Sequence, residues 1–166
     1  MKVFITGVAG TGKSTISKAL NEKGITSIDF SDNPGFQYWR NKITKEKVKY
    51  IPTDDVNWFY QNESLCDFDK LQELLNKYKD LVVTGVATGT GHLKLFDRVL
   101  LLQCEPQTLI SRMETRERMF GKTKAEQDHV LEWQKKFDPE LISFGAIPVN
   151  TEGTLDTVVD KIMFLL

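Results

Sequence analysis

The sequence predicts an α/β domain, a parallel sheet with helices on both faces. Three observations lead there. Short apolar segments recur without alternation, amphipathic segments separate them, and 166 residues suit one domain with a real core. The first strand is read at residues 3–5, Val-Phe-Ile, which is apolar throughout, as a strand covered on both faces must be. A helix follows from Lys13, with Ile16, Ala19 and Leu20 on one face and Gly24 as its stop. Residues 25–29, 81–84, 98–102 and 147–149 read as the second to fifth strands. The segments between read as helices. Residues 67–78 place Phe68, Leu71, Leu74, Leu75 and Tyr78 along one stripe. Pro106 suits the first turn of a helix carrying Leu109, Ile110 and Met113. Thr123 and Glu126 have capping-box spacing ahead of Val130, Trp133 and Phe137. The last helix is expected to bury Leu155, Val158, Val159, Ile162 and Leu166. One stretch breaks the rhythm: roughly residues 30–80 separate the second strand from the third, far more than a crossover of about a dozen residues needs. An insert there would house a second substrate.

Composition excludes several functions. Apolar residues make up 40% and charged residues 27%, with a net charge of −1 and no basic stripe, which argues against a nucleic-acid binder. Cys66 and Cys104 form no CxxC pair, so free thiols are expected and neither a disulfide framework nor a structural zinc site. No apolar stretch is long enough to span a membrane and no signal core precedes the first strand, so a cytoplasmic location and no membrane partner are expected. Nothing in the sequence assigns an oligomeric state.

The sharpest motif is Gly7-Val8-Ala9-Gly10-Thr11-Gly12-Lys13-Ser14, which fits G-x-x-x-x-G-K-[ST] without a departure. Glycines let the backbone bend closely around an anion. Successive N–H groups then form a nest for phosphate oxygens, and the helix opening near Lys13 adds its positive end. Lys13 supplies a mobile charge for the β- and γ-phosphates, and Ser14 a hydroxyl for Mg²⁺. ATP with Mg²⁺ is the expected cofactor pair, held by Gly7, Ala9, Gly10, Thr11, Gly12, Lys13, Ser14 and Thr15.

With that loop in place, the sequence resembles the nucleoside/nucleotide-kinase-like group of P-loop proteins, which holds adenylate kinase and shikimate kinase. Further pieces carry the likeness. The second strand ends in Ile28-Asp29-Phe30-Ser31-Asp32, similar to the acidic strand end of shikimate-type kinases. The third ends in Val83-Thr84-Gly85, with Gly89 and Gly91 close behind, like the glycine turn at their acceptor site. Residues 112–116 and Phe120-Gly121-Lys122 resemble a lid, and residues 150–154 resemble the adenine-side loop, which implicates Asn150 and Thr151 in nucleotide binding. The resemblance implies a three-layer P-loop NTPase fold: one five-stranded parallel sheet, a lid at about 112–126 and an acceptor insert at about 30–80. The chain departs from the pattern in two places. No apolar strand ends in Asp beside the loop, so a conventional Walker B is missing. The glycine run is interrupted as Gly85-Val86-Ala87-Thr88-Gly89, which argues against shikimate itself.

The remaining candidates follow from position. Asp29 and Asp32 sit where a strand end opens onto the site. One would serve Mg²⁺ and the other would take the proton of an attacking hydroxyl, with Asp29 assigned to the metal and both to the acceptor side. Alternatively, Asp32 opens the turn Asp32-Asn33-Pro34-Gly35. Arg112 and Arg116, four apart, would share a helix face and close over the transition state, while Glu114 to Arg118 has the geometry of a plain surface pair. Gly121 and Lys122 read as a lid hinge and tip, and Gly85 and Thr88 as acceptor contacts. His92 reads as an exposed loop histidine that either touches the acceptor or is incidental. Trp39, Trp58, Phe59 and Tyr60 either stack on a base or pack in the core. The function expected is phosphoryl transfer from ATP to a small-molecule acceptor, a nucleoside or nucleotide first. The alternative is a nucleotide-dependent switch or binding module.

Overall fold

A computed structural model describes residues 1–33 and 35–166, so the turn expected at residues 32–35 falls partly outside the described residues. Strand β1 (Lys2–Thr6) runs through the middle of a five-stranded parallel sheet. It is flanked by β6 (Leu81–Thr84) and β7 (Arg98–Gln103), with β2 (Ser27–Asp29) and β8 (Ile147–Asn150) at the edges. The order β2-β6-β1-β7-β8 reverses direction at β1, the point where open α/β sheets form a crevice beyond their carboxyl ends.

The absence of alternation in these strands has its expected cause. Val3, Ile5, Val82, Leu100 and Leu102 face α1 (Lys13–Glu22) and α6 (Leu155–Leu165), packing on Ile16, Leu20, Val159 and Ile162. Phe4, Val83 and Leu101 face the other way, against α3 (Phe68–Lys77), α4 (Pro106–Thr115) and α5 (Lys124–Ser143) through Leu71, Leu109, Met113 and Val130. Thr123 and Glu126 complete both bonds of the expected capping box at the start of α5.

The apolar stripes are narrower than the periodicity suggests. In α3 only Leu71 and Leu75 are buried; Phe68 and Tyr78 are exposed, because Asp67 caps the helix just before Phe68 and Tyr78 lies past its end. In α6, Leu155 is exposed at the first turn.

The insert is a unit of its own. Strands β3 (Gln37–Asn41), β4 (Lys47–Val48) and β5 (Asn62–Cys66) form an antiparallel sheet in the order β4-β3-β5, with the short helix α2 (Val56–Gln61) leading into β5. The loop after β6 joins it directly, the Thr88 N–H donating to the Ser64 carbonyl at 2.7 Å, and the Asp67 N–H bond to the Phe36 carbonyl at 2.8 Å continues the β3–β5 pairing at its base.

Gly85 sits at this junction, and its role differs from the acceptor contact expected of it. A Cβ on Gly85 would lie 2.2 Å from Phe30 Cδ2 and 2.7 Å from Cγ. The Phe30 ring is fixed between Phe36, stacked at 5.5 Å, and Phe4 at 5.9 Å. The missing side chain makes room for a buried ring rather than for a ligand. Gly85→Ala should therefore cost about 1–3 kcal/mol of stability, the range for overpacking a filled core. Urea denaturation measures it, and an unshifted midpoint would show that the ring has room to move.

Candidate active site

The loop between β1 and α1 is shaped by three glycines in left-handed or near-left-handed backbone: Gly7 at φ 146°, Gly10 at 92° and Gly12 at 96°. At Gly7 a side chain is excluded twice over, since a Cβ would meet the Leu102 carbonyl oxygen at 2.6 Å. Thr11 Oγ1 donates to the Val8 carbonyl at 2.9 Å and holds the bend. Gly12 caps α1 without a side-chain bond, which leaves the first-turn N–H groups to an anion. Lys13 reaches back across the mouth, its Nζ donating to the carbonyls of Gly7 at 2.5 Å and Val8 at 2.8 Å. Burial pushes its ammonium down to about 7; Asp29 pulls the other way, while Arg116 and Arg118 add to the depression.

Beside the loop lies an acidic corner. Asp29 ends β2 and is buried; its Oδ1 accepts from the Ser31 N–H at 2.9 Å, and its Oδ2 has no hydrogen-bond partner. Thr84, in register with Asp29 on the neighbouring strand, also has a buried, unpartnered hydroxyl. Arg118 closes the corner. One guanidinium nitrogen donates to Ser14 Oγ at 3.1 Å and to Asp32 Oδ1 at 3.1 Å, and stands 3.8 Å from Asp29 Oδ2. A hydroxyl, an orphaned carboxylate oxygen and a second carboxylate thus already converge on one cation. Oxygen donors of this kind fit Mg²⁺, which takes one or two protein ligands and completes its shell with phosphates and water.

The arginines are distributed otherwise than their spacing suggests. Helix α4 ends at Thr115, so Arg116 is extended chain beyond it and shares no helical face with Arg112. Arg112 Nη1 and Nη2 donate to Thr151 Oγ1 at 3.1 Å and Thr151 O at 2.8 Å. Arg116 donates to the Phe120 carbonyl. Arg118, which spacing pairs with Glu114, is instead the arginine over Ser14 and Asp32.

From the phosphate loop a cleft of about 990 Å³ runs into the insert. Its inner walls are rings: Trp39, Tyr50, Phe120, Trp133, and Phe59 stacked on His129 with centroids 4.3 Å apart and 15° between planes. Trp39 and Phe59 therefore face the cleft as well as packing on their neighbours, Trp58 packs edge-on against Trp39 at 4.8 Å, and Tyr60 is exposed. Burial, then the charge of Lys42, brings His129 down to about 4, so it is a neutral ring at pH 7. His92 is not an exposed loop residue. It is buried edge-on against Phe4 at 5.3 Å, away from the cleft, and burial lowers it to about 4.

Of the other expected contacts, Ala9, Gly10, Thr11, Gly12, Ser14 and Thr15 line the cleft at the loop, as do Thr88 and Thr151 further along. Gly7 and Asn150 do not. Gly7 acts through its bend, and Asn150 spends its Oδ1 on the Glu152 N–H at 2.6 Å. Asp29 and Asp32 meet the cleft through Arg118.

Glu126 does more than cap α5. It is fully buried, and its Oε2 accepts from the N–H groups of Gly121 at 2.8 Å, Lys122 at 2.8 Å and Thr123 at 3.1 Å, while its Oε1 accepts from the Tyr50 hydroxyl and from Thr53 N–H at 3.4 Å. Thr123 Oγ1 adds a bond to Thr53 O at 2.9 Å. One carboxylate therefore joins the segment after α4 to the insert. Burial alone raises the Glu126 carboxyl, but the bonds from Tyr50, Thr123, Gly121 and Lys122 outweigh it and hold the group below the usual carboxylate range.

A carboxylate depressed in this way stabilises the fold above its unfolded-state pKa of about 4.3 and loses that contribution as pH falls through the lower native value. Glu126→Gln should cost about 1–3 kcal/mol at pH 7, with a smaller difference from wild type below about pH 4. Urea denaturation at both pH values measures it, and a difference that does not change with pH would remove the charge from the argument.

Among the described residues no helix is long and apolar enough to cross a membrane, and no cluster of three His, Cys, Asp or Glu side chains could hold a metal by itself. A family model described as an AAA domain matches residues 3–133. A presumed adenylate kinase of Methanocaldococcus jannaschii is 29% identical over 118 residues, 70% of this chain and 59% of that one, so this chain spans less than two thirds of that relative. A protein of the same name from Thermococcus kodakarensis is 27% identical over 173 residues, covering 100% of this chain and 85% of its own. Among solved structures, deoxyadenosine kinase from M. mycoides with bound dATP superposes with a TM-score of 0.61 at 16% identity, over 99% of this chain and 98% of that one. The glycine-bent loop, the strand order and the matched span agree: the chain belongs to the AAA domain family and has the three-layer α/β fold of P-loop nucleotide-kinase-like proteins.

Proposed function

We propose that this P-loop small-molecule kinase transfers the γ-phosphoryl group of Mg·ATP to a nucleoside or nucleotide acceptor. The observation that carries the reading is the single cleft that runs from the phosphate loop to the aromatic walls of the insert. A donor triphosphate seated on the loop and a ring-bearing acceptor packed against the insert would meet within it. A nucleotide switch needs no second pocket, so the inner half of the cleft supports transfer over switching. The names of the M. jannaschii and T. kodakarensis relatives and of the M. mycoides neighbour point the same way.

The loop amides and Lys13 hold the β- and γ-phosphates. Ser14 and Asp29 would hold Mg²⁺, which supplies charge neutralisation on the phosphate oxygens when bound. Asp32 receives the proton of the attacking hydroxyl. Arg116 and Arg118 provide positive charge over the transferring group, and Arg118 must leave Asp32 to do so. Arg112 works through Thr151, fixing the adenine-side loop against α4.

Two measurements test this reading. An ADP-release screen across nucleosides, nucleotides and small hydroxy acids should find acceptor-dependent turnover, and Lys13→Ala should lower it by about 10²-fold without changing the melting temperature, the scale of one preorganised charge. Turnover within a few-fold of wild type would remove Lys13 from the role. Separately, a phosphate beside Lys13 raises its pKa from about 7 back toward the ordinary lysine value. Nucleotide binding at pH 8 should therefore take up protons, read by calorimetry in buffers of different ionisation enthalpy. Heats independent of the buffer would contradict it.

A further inference from the structure

The acidic corner beside the phosphate loop carries a cation of its own, and its role there rests on the reading of Ser14 and Asp29 as metal ligands. Among the described residues, the Arg118 guanidinium meets three groups. One nitrogen donates to Ser14 Oγ and to Asp32 Oδ1, each at 3.1 Å, and lies 3.8 Å from Asp29 Oδ2. The first is the hydroxyl assigned to Mg²⁺, the second the carboxylate assigned to the proton, and the third the carboxylate assigned to the metal. A single nitrogen thus stands among the oxygens that a hydrated divalent cation would use.

The fit is that of a stand-in rather than a permanent partner. The Asp29 side chain is only 3% exposed, yet 3.8 Å is too long for a hydrogen bond, so Oδ2 has its charge balanced and its lone pairs unused. A lasting buried pair would be short and hydrogen-bonded. Arg118 is 41% exposed and Asp32 52%, and an exposed pair of this kind holds weakly. Arg118 also lies near enough to Lys13 to help depress its ammonium. Both charges repel a divalent cation that arrives alone, and the phosphates of a nucleotide offset them.

The chain that carries Arg118 lies between α4 and α5 and is fixed at both ends. Arg116 donates to the Phe120 carbonyl, Lys122 Nζ donates to Glu114 O at 2.7 Å, and Glu126 accepts from the amides of Gly121, Lys122 and Thr123. Between these bonds, Glu117, Arg118 and Met119 are exposed, and their main-chain groups make no backbone hydrogen bond among the described residues. The guanidinium can swing out of the corner without unmaking the bonds on either side.

We propose that Arg118 is a place-holder for the divalent cation: it occupies the metal corner in the free protein, excludes free metal from it, and is released when metal enters together with nucleotide. Its release unmasks Asp32 and makes the guanidinium available to the transferring phosphoryl group. Metal alone leaves Arg118 on Asp32 and the proton acceptor covered.

The test is a titration of the full chain with Mn²⁺ in the absence of nucleotide, the free ion being counted by electron paramagnetic resonance. Arg118→Gln should bind Mn²⁺ about 10-fold or more tighter than wild type, the effect of removing a close like charge from a partly exposed site. Arg118→Lys, which keeps the charge and loses the planar fork, should stay within about threefold of wild type. Asp29→Asn or Ser14→Ala, added to Arg118→Gln, should each remove the gain. Equal Mn²⁺ affinity in wild type and Arg118→Gln, or a gain that survives both added substitutions, would overturn the place-holder and leave the kinase reading standing. Calorimetry of ADP binding with Mn²⁺ and with EDTA separates the two: affinity indifferent to the metal in every form would overturn the metal assignment along with the place-holder.

Discussion

The bend between β1 and α1 is the constraint on which the rest of the structure depends. Gly7 lies so close to the Leu102 carbonyl that no side chain fits between them, and this contact sets how tightly the loop hugs β7. Gly10 is pressed against the backbone of Leu109 in the same way, where a Cβ would sit 3.0 Å from its carbonyl oxygen. The loop is thus wedged between the central strand, its neighbour and α4. Because it is wedged, the amino end of α1 is aimed at the crevice where the strand order reverses, and the phosphate-binding amides are organised before any ligand arrives. Preorganised donors of this kind need no rearrangement at the moment of reaction, which is what makes them effective.

A second closure lies across the cleft. Glu126, Thr123 and Tyr50 join the segment after α4 to the insert, and the Phe120 ring lies against Tyr50 at 5.4 Å and Phe59 at 6.1 Å. The rings that would contact an acceptor and the chain that carries Arg116 and Arg118 therefore belong to one network. On the proposed function, an acceptor that ordered the rings would also order the arginines and so couple the second substrate to the charge over the first. Arg118 itself is shared between this network and the acidic corner. Its position over Ser14 and Asp32 also brings a positive charge to Asp29, the one buried carboxylate of the corner, which would be costly left alone.

What was legible in the sequence, and what was not, divides by the range of the interactions. The strands, their order of burial and the loop are local: an apolar run, a glycine pattern and a capped helix say what they are within about twenty residues. The position of Asp29 was legible for the same reason, as the last residue of β2. The insert was not. Its pairing of Gln37, Trp39 and Asn41 with Asn62, Ser64 and Cys66 links segments more than twenty residues apart, and the β3 to β5 register is fixed by contacts that no local period reports. Glu126 shows the limit most plainly. Its role at the start of α5 follows from its spacing to Thr123, while its bond to Tyr50 spans 76 positions. The arginines were misjudged by carrying a helical period past Thr115, where the helix ends. His92 was misjudged because flanking glycines look like surface loop, whereas the short 3₁₀ turn Gly91–Leu95 tucks the ring under the sheet.

The missing Walker B carboxylate can be understood from two oxygens. At the end of β6, where an aspartate would be expected, stands Thr84; beside it in register, at the end of β2, stands Asp29. Thr84 Oγ1 and Asp29 Oδ2 are both buried and both lack a hydrogen-bond partner. Each such group costs about 1–3 kcal/mol if nothing satisfies it, so a pair of them side by side is a substantial burden on a domain of this size. Folded proteins retain groups of this kind where a ligand, ion or ordered water completes them. Asp29 reaches Ser14 through Arg118, and a hydrated divalent cation held there would offer the protons that these oxygens lack. On the proposed function, Asp29 would supply from the neighbouring strand the carboxylate that the end of β6 lacks, and Thr84 keeps the corner polar. This arrangement supports a metal role for Asp29 in a fold whose β6 ends in a threonine.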